Sequence, residues 1–153
     1  MAERKVKILF LCTGNSCRSQ MAEGLARALK SNEIEPSSAG TEPKGLDPRA
    51  VAVMREIGID ISSQRSKHVD ELRGTAFDYV VTLCGGAAES CPLFPGAVKV
   101  IHRGFDDPPA MAMSAASDEE ALDCYRRVRD EIRSFIETLP ASLEEEGATL
   151  RLS

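Results

Sequence analysis

The sequence predicts an α/β fold: a single-domain, three-layer arrangement with a central four-stranded parallel sheet flanked by helices. Three observations lead there. Strand-like apolar runs alternate along the chain with stretches of helical periodicity. The first run, Val6–Leu11, is apolar at successive positions apart from Lys7, as a strand covered on both faces requires. The length of 153 residues suits one domain. At this size roughly 70% of the unfolded chain's surface can be buried, so the core closes without staples.

The elements follow in order. After Val6–Leu11 the small, polar stretch Thr13–Ser19 forms a loop, and Met21, Leu25, Ala28 and Leu29 then recur at helical spacing. Ile34–Ser38 is a second, weaker strand that ends at the Ala39-Gly40 turn. Asp47-Pro48 places an N-cap before a first helical residue, with Val51, Met54 and Ile57 as the buried stripe and Gly58 as the stop. Phe77–Leu83 and Val98–His102 supply the third and fourth strands. Ser117 and Glu120 form a capping box for the longest helix, whose stripe runs through Leu122, Tyr125, Val128, Ile132, Phe135, Ile136 and Leu139 until Pro140 ends it. The core is expected to span 6–139, leaving 141–153 as a loose C-terminal tail.

Composition narrows the function. Hydrophobic residues at 42% and charged residues at 28% argue against disorder. With aromatic residues at 5% and no Trp, the core is built from aliphatic side chains. Nineteen Lys and Arg against 24 Asp and Glu give a net charge of −5, the wrong balance for tracking phosphates along nucleic acid. No apolar stretch approaches the roughly 20 residues that span a bilayer. Val6–Cys12 is too short for a signal-peptide core. A cytoplasmic monomer with no membrane or nucleic-acid partner is expected.

Five cysteines, at 12, 17, 84, 91 and 124, point to reactive thiols, since an odd count in a cytoplasmic chain does not make a disulfide framework. The Cys12/Cys17 and Cys84/Cys91 spacings lack the tight zinc knuckle, so no metal is expected. In an α/β sheet ligands gather at the carboxyl ends of strands, and both Cys12 and Cys84 fall there. Cys12-Thr13-Gly14-Asn15-Ser16-Cys17-Arg18-Ser19 can wrap so that successive N–H groups converge on one oxyanion, and Gly14 and Asn15 tolerate the positive φ such a nest requires. The helix N-terminus adds positive potential and Arg18 a planar fork. The same field favours thiolate over thiol, making Cys12 a nucleophile at the edge of an anion cradle.

Leu9–Glu23 (LFLCTGNSCRSQMAE) resembles the phosphate-binding loop of the low-molecular-weight protein tyrosine phosphatase fold family, and Ser38-Ala39-Gly40 and Phe105-Asp106-Asp107-Pro108 match later landmarks. The resemblance covers nearly all of Val6–Leu139. It implies that Asp107, preceding Pro108, is the general acid. Val80–Pro95 looks like the redox segment of the family's thioredoxin-coupled arsenate reductases, in which one Cys ends a strand and a second follows seven residues later. The resemblance then implies arsenate as substrate and arsenite as product. It implies a relay in which a Cys12–Cys84 disulfide gives way to Cys84–Cys91, with thioredoxin as external reductant and no bound cofactor. Cys17 is expected to fill space under the loop and Cys124 to be structural; His68 and His102 have no evident partners in the sequence.

Some reductases of this type seat a potassium ion beneath the loop, on residues matching Asn15, Glu23 and Ser38 plus an Asp. The Asp position falls on Lys67, whose ammonium is expected to replace the ion, pair with Glu23 and brace Asn15; no potassium site is expected. Two other readings fit the loop: a phosphatase hydrolysing phosphate monoesters through a Cys12 phosphoenzyme, and an oxyanion or redox sensor.

Overall fold

The computed structural model describes residues 4–83 and 99–144. Its elements are β1 (Val6–Leu11), α1 (Arg18–Leu29), β2 (Ile34–Ala39), α2 (Pro48–Glu56), a 3-10 turn (Val69–Leu72), β3 (Tyr79–Thr82), β4 (Val100–His102), α3 (Pro108–Ala112) and α4 (Asp118–Glu137). The four strands form one sheet in the order β2-β1-β3-β4, and every neighbouring pair is parallel. Succession runs outward from β1 to β2 and from β3 to β4. The switch point, where parallel sheets open a crevice, therefore lies between β1 and β3.

The pleat explains the unbroken apolar run in β1. Ile8 and Phe10 belong to the main core with Met21 and Leu25 of α1, Val53 and Met54 of α2, and Tyr125, Val128 and Ile132 of α4. Leu9 and Leu11 face the other way, into a smaller cluster with Ala39, Val69, Phe77 and Val80, against which Leu72 packs. A strand with both faces covered has no polar side to show, hence the missing alternation. Pro36, which cannot donate to a ladder, sits in β2 at the sheet edge.

Several expectations need adjusting. The third strand is Tyr79–Thr82 and the fourth Val100–His102, both shorter than their apolar runs. In α2 the fully buried positions are Ala50, Val53 and Met54; Val51 and Ile57 are only partly buried, because Ile57 is already the C-cap. The longest helix starts at its expected cap: the Ser117 hydroxyl accepts from Glu120 N–H at 3.2 Å, while the Glu120 carboxylate reaches one residue past the cap and accepts from Ala116 N–H at 2.6 Å.

The loose tail begins later than expected. Residues 141–144 are helical, and Leu143 is fully buried in the main core. α4 ends at Glu137, short of the expected stop at Pro140, so Leu139 is buried beyond the helix; the missing N–H of Pro140 is no handicap at the start of a new turn. Its carbonyl takes Leu143 N–H at 3.1 Å. Residues 145–153 lie outside the described part. Truncating Leu143 to Ala is expected to cost about 2–5 kcal/mol of unfolding free energy in urea titrations. A change within about 0.5 kcal/mol would mean that the segment carries no packing.

Candidate active site

β1 delivers the chain to Cys12 at the switch point, and α1 starts at Arg18, so the intervening loop closes over the carboxyl end of the sheet. The loop turns its carbonyls outward. Thr13 O accepts from Glu42 N–H at 2.9 Å, Gly14 O from Lys44 N–H at 2.9 Å and Ser16 O from Asp47 N–H at 3.0 Å. Among the described residues no acceptor pairs with the N–H groups of Gly14, Asn15, Ser16 or Cys17, and the first turn of α1 holds no acidic residue. Unpaired amides beside an uncompensated helix N-terminus make a cradle for an anion. Asn15 provides the bend with φ +44°, the left-handed region that Asn tolerates.

Gly40 is indispensable to this close fit. A Cβ there would lie 2.4 Å from Thr13 O, 2.7 Å from Cys12 O and 2.9 Å from Asn15 N, all backbone atoms that cannot yield. The strand β2 therefore ends where only glycine lets the loop pass.

Cys12 is 3% exposed, with its sulfur 2.9 Å from the Ser19 hydroxyl oxygen. That oxygen already accepts from the Asn15 side-chain amide at 2.8 Å, so its single hydrogen is available to the sulfur. Arg18, 4% exposed, is held by the carbonyls of Phe105 at 3.0 Å and Leu83 at 3.4 Å, and its other terminal nitrogen lies 3.7 Å from Asp107. Cys12, Thr13, Gly14, Ser16, Cys17, Arg18, Thr41, Glu42, Lys44, Asp107 and Pro109 line a cavity of about 430 Å³. A planar guanidinium, open amides and a thiol converge in it, together with a carboxyl that can pass a proton.

The two aspartates before Pro108 part company. Asp106 points to solvent and pairs with Arg127 at 2.8 Å, whereas Asp107 precedes α3, lines the cavity and faces Arg18. Cys17 is buried beneath the loop, and its thiol is pushed well up, first by burial and then by the Asp47 carboxylate. It therefore stays protonated, five positions from Cys12 in the same loop. Cys124 is partly exposed in α4. Cys84 and Cys91 lie outside the described residues.

Sequence reasoning missed several partners. His68 Nδ1 accepts from Asp70 N–H at 3.0 Å, capping the 3-10 turn, and His102 Nδ1 lies 2.9 Å from the Thr82 hydroxyl. Tyr125, expected only as core, donates its hydroxyl to Asp47 at 2.6 Å, and burial and that carboxylate push the phenol up. Asp47 thus ties the loop carbonyl of Ser16 to α4 as well as capping α2. Lys67 departs from its expected pairing. Its ammonium donates to Ser38 O at 2.9 Å and Arg65 O at 3.1 Å, while Glu23 receives the Ser38 hydroxyl and Arg27, each at 2.6 Å. Asn15 is braced by the backbone N–H of Lys67 at 2.9 Å, not by its side chain. Burial pulls the Lys67 ammonium down, against the attraction of Glu23. Among the described residues no group of three His, Cys, Asp or Glu is placed to hold a metal ion, and no helix is long and apolar enough to cross a membrane.

Comparison with known proteins agrees with this geometry. An arsenate reductase of Shouchella clausii is 53% identical over 137 residues, covering 86% of this chain and 95% of the relative. A solved arsenate reductase in a phosphate-binding state superposes with a TM-score of 0.73 at 34% identity, over 90% of this chain and 98% of that one. A thioredoxin-dependent arsenate reductase of Corynebacterium glutamicum gives 0.64 at 25% identity, over 95% of this chain and 65% of that one. The model of the low molecular weight phosphotyrosine protein phosphatase family matches residues 7–149, and the chain belongs to that family, alongside its arsenate reductases.

Proposed function

We propose that the protein reduces arsenate to arsenite through Cys12, Cys84 and Cys91, with thioredoxin taking up the final disulfide. The observation that carries the reading is the shared cavity of Cys12, Arg18 and Asp107 at the β1/β3 switch point. A hydrolase would need nothing more than that cavity. The reductive reading adds the sequence of Leu83-Cys84, which continues the chain from β3, and Cys91 seven residues on.

The chemistry balances as follows. Arsenate docks on the loop amides and Arg18. The Cys12 thiolate attacks arsenic, and Asp107 gives its proton to the departing oxygen, which leaves as water. Cys84 then attacks the Cys12 sulfur. The S–As bond breaks with its electron pair going to arsenic, so As(V) becomes As(III), arsenite departs and a Cys12–Cys84 disulfide remains. Two thiols have supplied two electrons. Cys91 attacks Cys84, releasing the Cys12 thiolate and leaving Cys84–Cys91, which a thioredoxin dithiol reduces. Thr13, Gly14, Asn15, Ser16, Cys17, Arg18 and Ser19 form the oxyanion loop. In the sequence, Gly85-Gly86-Ala87-Ala88 place only small side chains after Cys84 on the way to Cys91. The protein works in the cytoplasm as a monomer.

We further propose that potassium has no part in this. The ammonium of Lys67 occupies Ser38 O, and both oxygens of Glu23 are already engaged, which leaves a cation few ligands.

Two measurements test these readings. With thioredoxin, thioredoxin reductase and NADPH, arsenate-dependent NADPH oxidation is expected to vanish in Cys12→Ser and Cys84→Ser, and Cys91→Ser is expected to release no more than one arsenite per chain and then stop. Cys124→Ser retains most of it. Continued cycling by Cys91→Ser would overturn the relay, and hydrolysis of an aryl phosphate without arsenate reduction would favour the phosphatase. Replacing sodium by potassium at equal ionic strength is expected to leave Tm and kcat/KM unchanged. A potassium-specific rise in either would refute the role given to Lys67.

A further inference from the structure

Behind the loop runs a line of polar side chains, each of which donates a hydrogen to the next, that ends at Cys12. Arg27 Nη1 donates to Gln64 Oε1 at 2.9 Å. Gln64 Nε2 donates to Gln20 Oε1 at 2.8 Å and to Gln20 O at 3.0 Å. The two hydrogens of Gln20 Nε2 are shared among three acceptors, Asn15 O at 3.0 Å, Asn15 Oδ1 at 3.1 Å and Arg65 O at 3.2 Å. Asn15 Nδ2 donates to the Ser19 hydroxyl, which is left to donate to the Cys12 sulfur.

The directions are fixed by groups with one possible role. A guanidinium only donates, so the oxygen of the Gln64 amide must face Arg27. The carbonyls of Asn15 and Arg65 only accept, so the nitrogen of Gln20 must face them. The N–H of Lys67 only donates, so the oxygen of Asn15 faces Lys67 and its nitrogen faces Ser19. Hydrogen bonds aligned head to tail polarise one another, and this line begins at a cation and ends at a sulfur that must carry negative charge. Gln20 is fully buried and Gln64 partly so, which limits competition from water along its middle.

We propose that Gln20 and Gln64 are positioning residues for the nucleophile: they carry the polarisation of Arg27 to the Ser19 hydroxyl and so favour the Cys12 thiolate. The proposal rests on the reading of Cys12 as nucleophile. It accounts for two glutamines, 44 positions apart in the chain, whose amides interlock with no contact to the cavity. Other groups also face the Cys12 site: Cys17 and Arg18 from the start of α1, Glu42 and Lys44 from the segment after β2, and Asp107 from before α3. Glu23 and Lys67 flank the far end at Arg27 and Asn15. The substitutions below leave all of these in place.

Gln64→Glu keeps the volume and the bond from Arg27, but an ionised carboxylate has no hydrogen for Gln20 Oε1 and meets it as a second acceptor; the carbonyls of Asn15 and Arg65 still hold the Gln20 nitrogen, so the line is cut between Gln64 and Gln20. Gln64→Met removes the donor without adding charge. The rate of Cys12 alkylation by iodoacetamide, followed on the Cys12 peptide by mass spectrometry in the full-length protein, reads the thiolate fraction against pH. Losing one such bond is expected to slow alkylation at neutral pH by about three- to tenfold in Gln64→Glu, and by less in Gln64→Met. Rates should converge on wild type at high pH, where the thiol is ionised regardless. The effect should persist in about 1 M sodium chloride, where the screening length is about 3 Å. Unchanged neutral-pH rates in both variants would overturn the proposal while leaving the nucleophile reading intact. Slowing that is equal at every pH, or that salt removes, would overturn it too, as altered access or a through-space charge. Wild-type Cys12 reacting no faster than a free thiol at neutral pH would overturn both this proposal and the nucleophile reading.

Discussion

A cradle built from backbone amides can face an anion only if the carbonyls of the same loop are satisfied on its other side. That constraint organises much of this molecule. The amides of Glu42, Lys44 and Asp47 take the carbonyls of Thr13, Gly14 and Ser16, so the segment after β2 must run alongside the loop. Gly40 permits the approach because any side chain there would strike three backbone atoms. Asp47 then caps α2 and receives Tyr125, which fixes α2 and α4 relative to the loop. Most of the architecture around β1 can be understood as support for six residues of irregular chain.

The same loop holds two cysteines in different surroundings. Cys17 lies under the backbone with the Asp47 carboxylate acting on it, and burial and that charge both oppose its ionisation. Cys12 lies 2.9 Å from the Ser19 hydroxyl, whose hydrogen is available to it, and shares its cavity with Arg18. Since the thiolate is the reactive form, the proposed nucleophile is the cysteine of the open cavity and not the one five positions on beneath the loop. Environment makes the difference.

How much of this was legible in the sequence follows from how local each signal is. The strand β1, the loop after it and the capped helix α4 are written in contiguous residues, and the structure has them where periodicity and capping put them. Asp107 could be separated from Asp106 by resemblance alone; the physical reason, that Arg127 draws Asp106 outward, needs the fold. The 3-10 turn and the five-residue α3 were missed because elements this short have no periodicity to display. Gln20 and Gln64 were invisible because polar side chains far apart in sequence carry no mark of their pairing. Lys67 was placed beside the right residues but with the wrong bonds: its ammonium prefers carbonyl oxygens, and Arg27 holds Glu23 instead.

The central claim is that the cavity spends two thiols per oxyanion, where a hydrolase would spend none. A single turnover without any external reductant measures this directly. Fully reduced protein is mixed with excess arsenate, quenched in acid, and assayed for arsenite, for free thiols and for disulfide-linked peptides. The account predicts one arsenite and two lost thiols per chain, with the lost pair mapped to Cys84 and Cys91 and Cys12 recovered free. No arsenite and a full complement of thiols would contradict it.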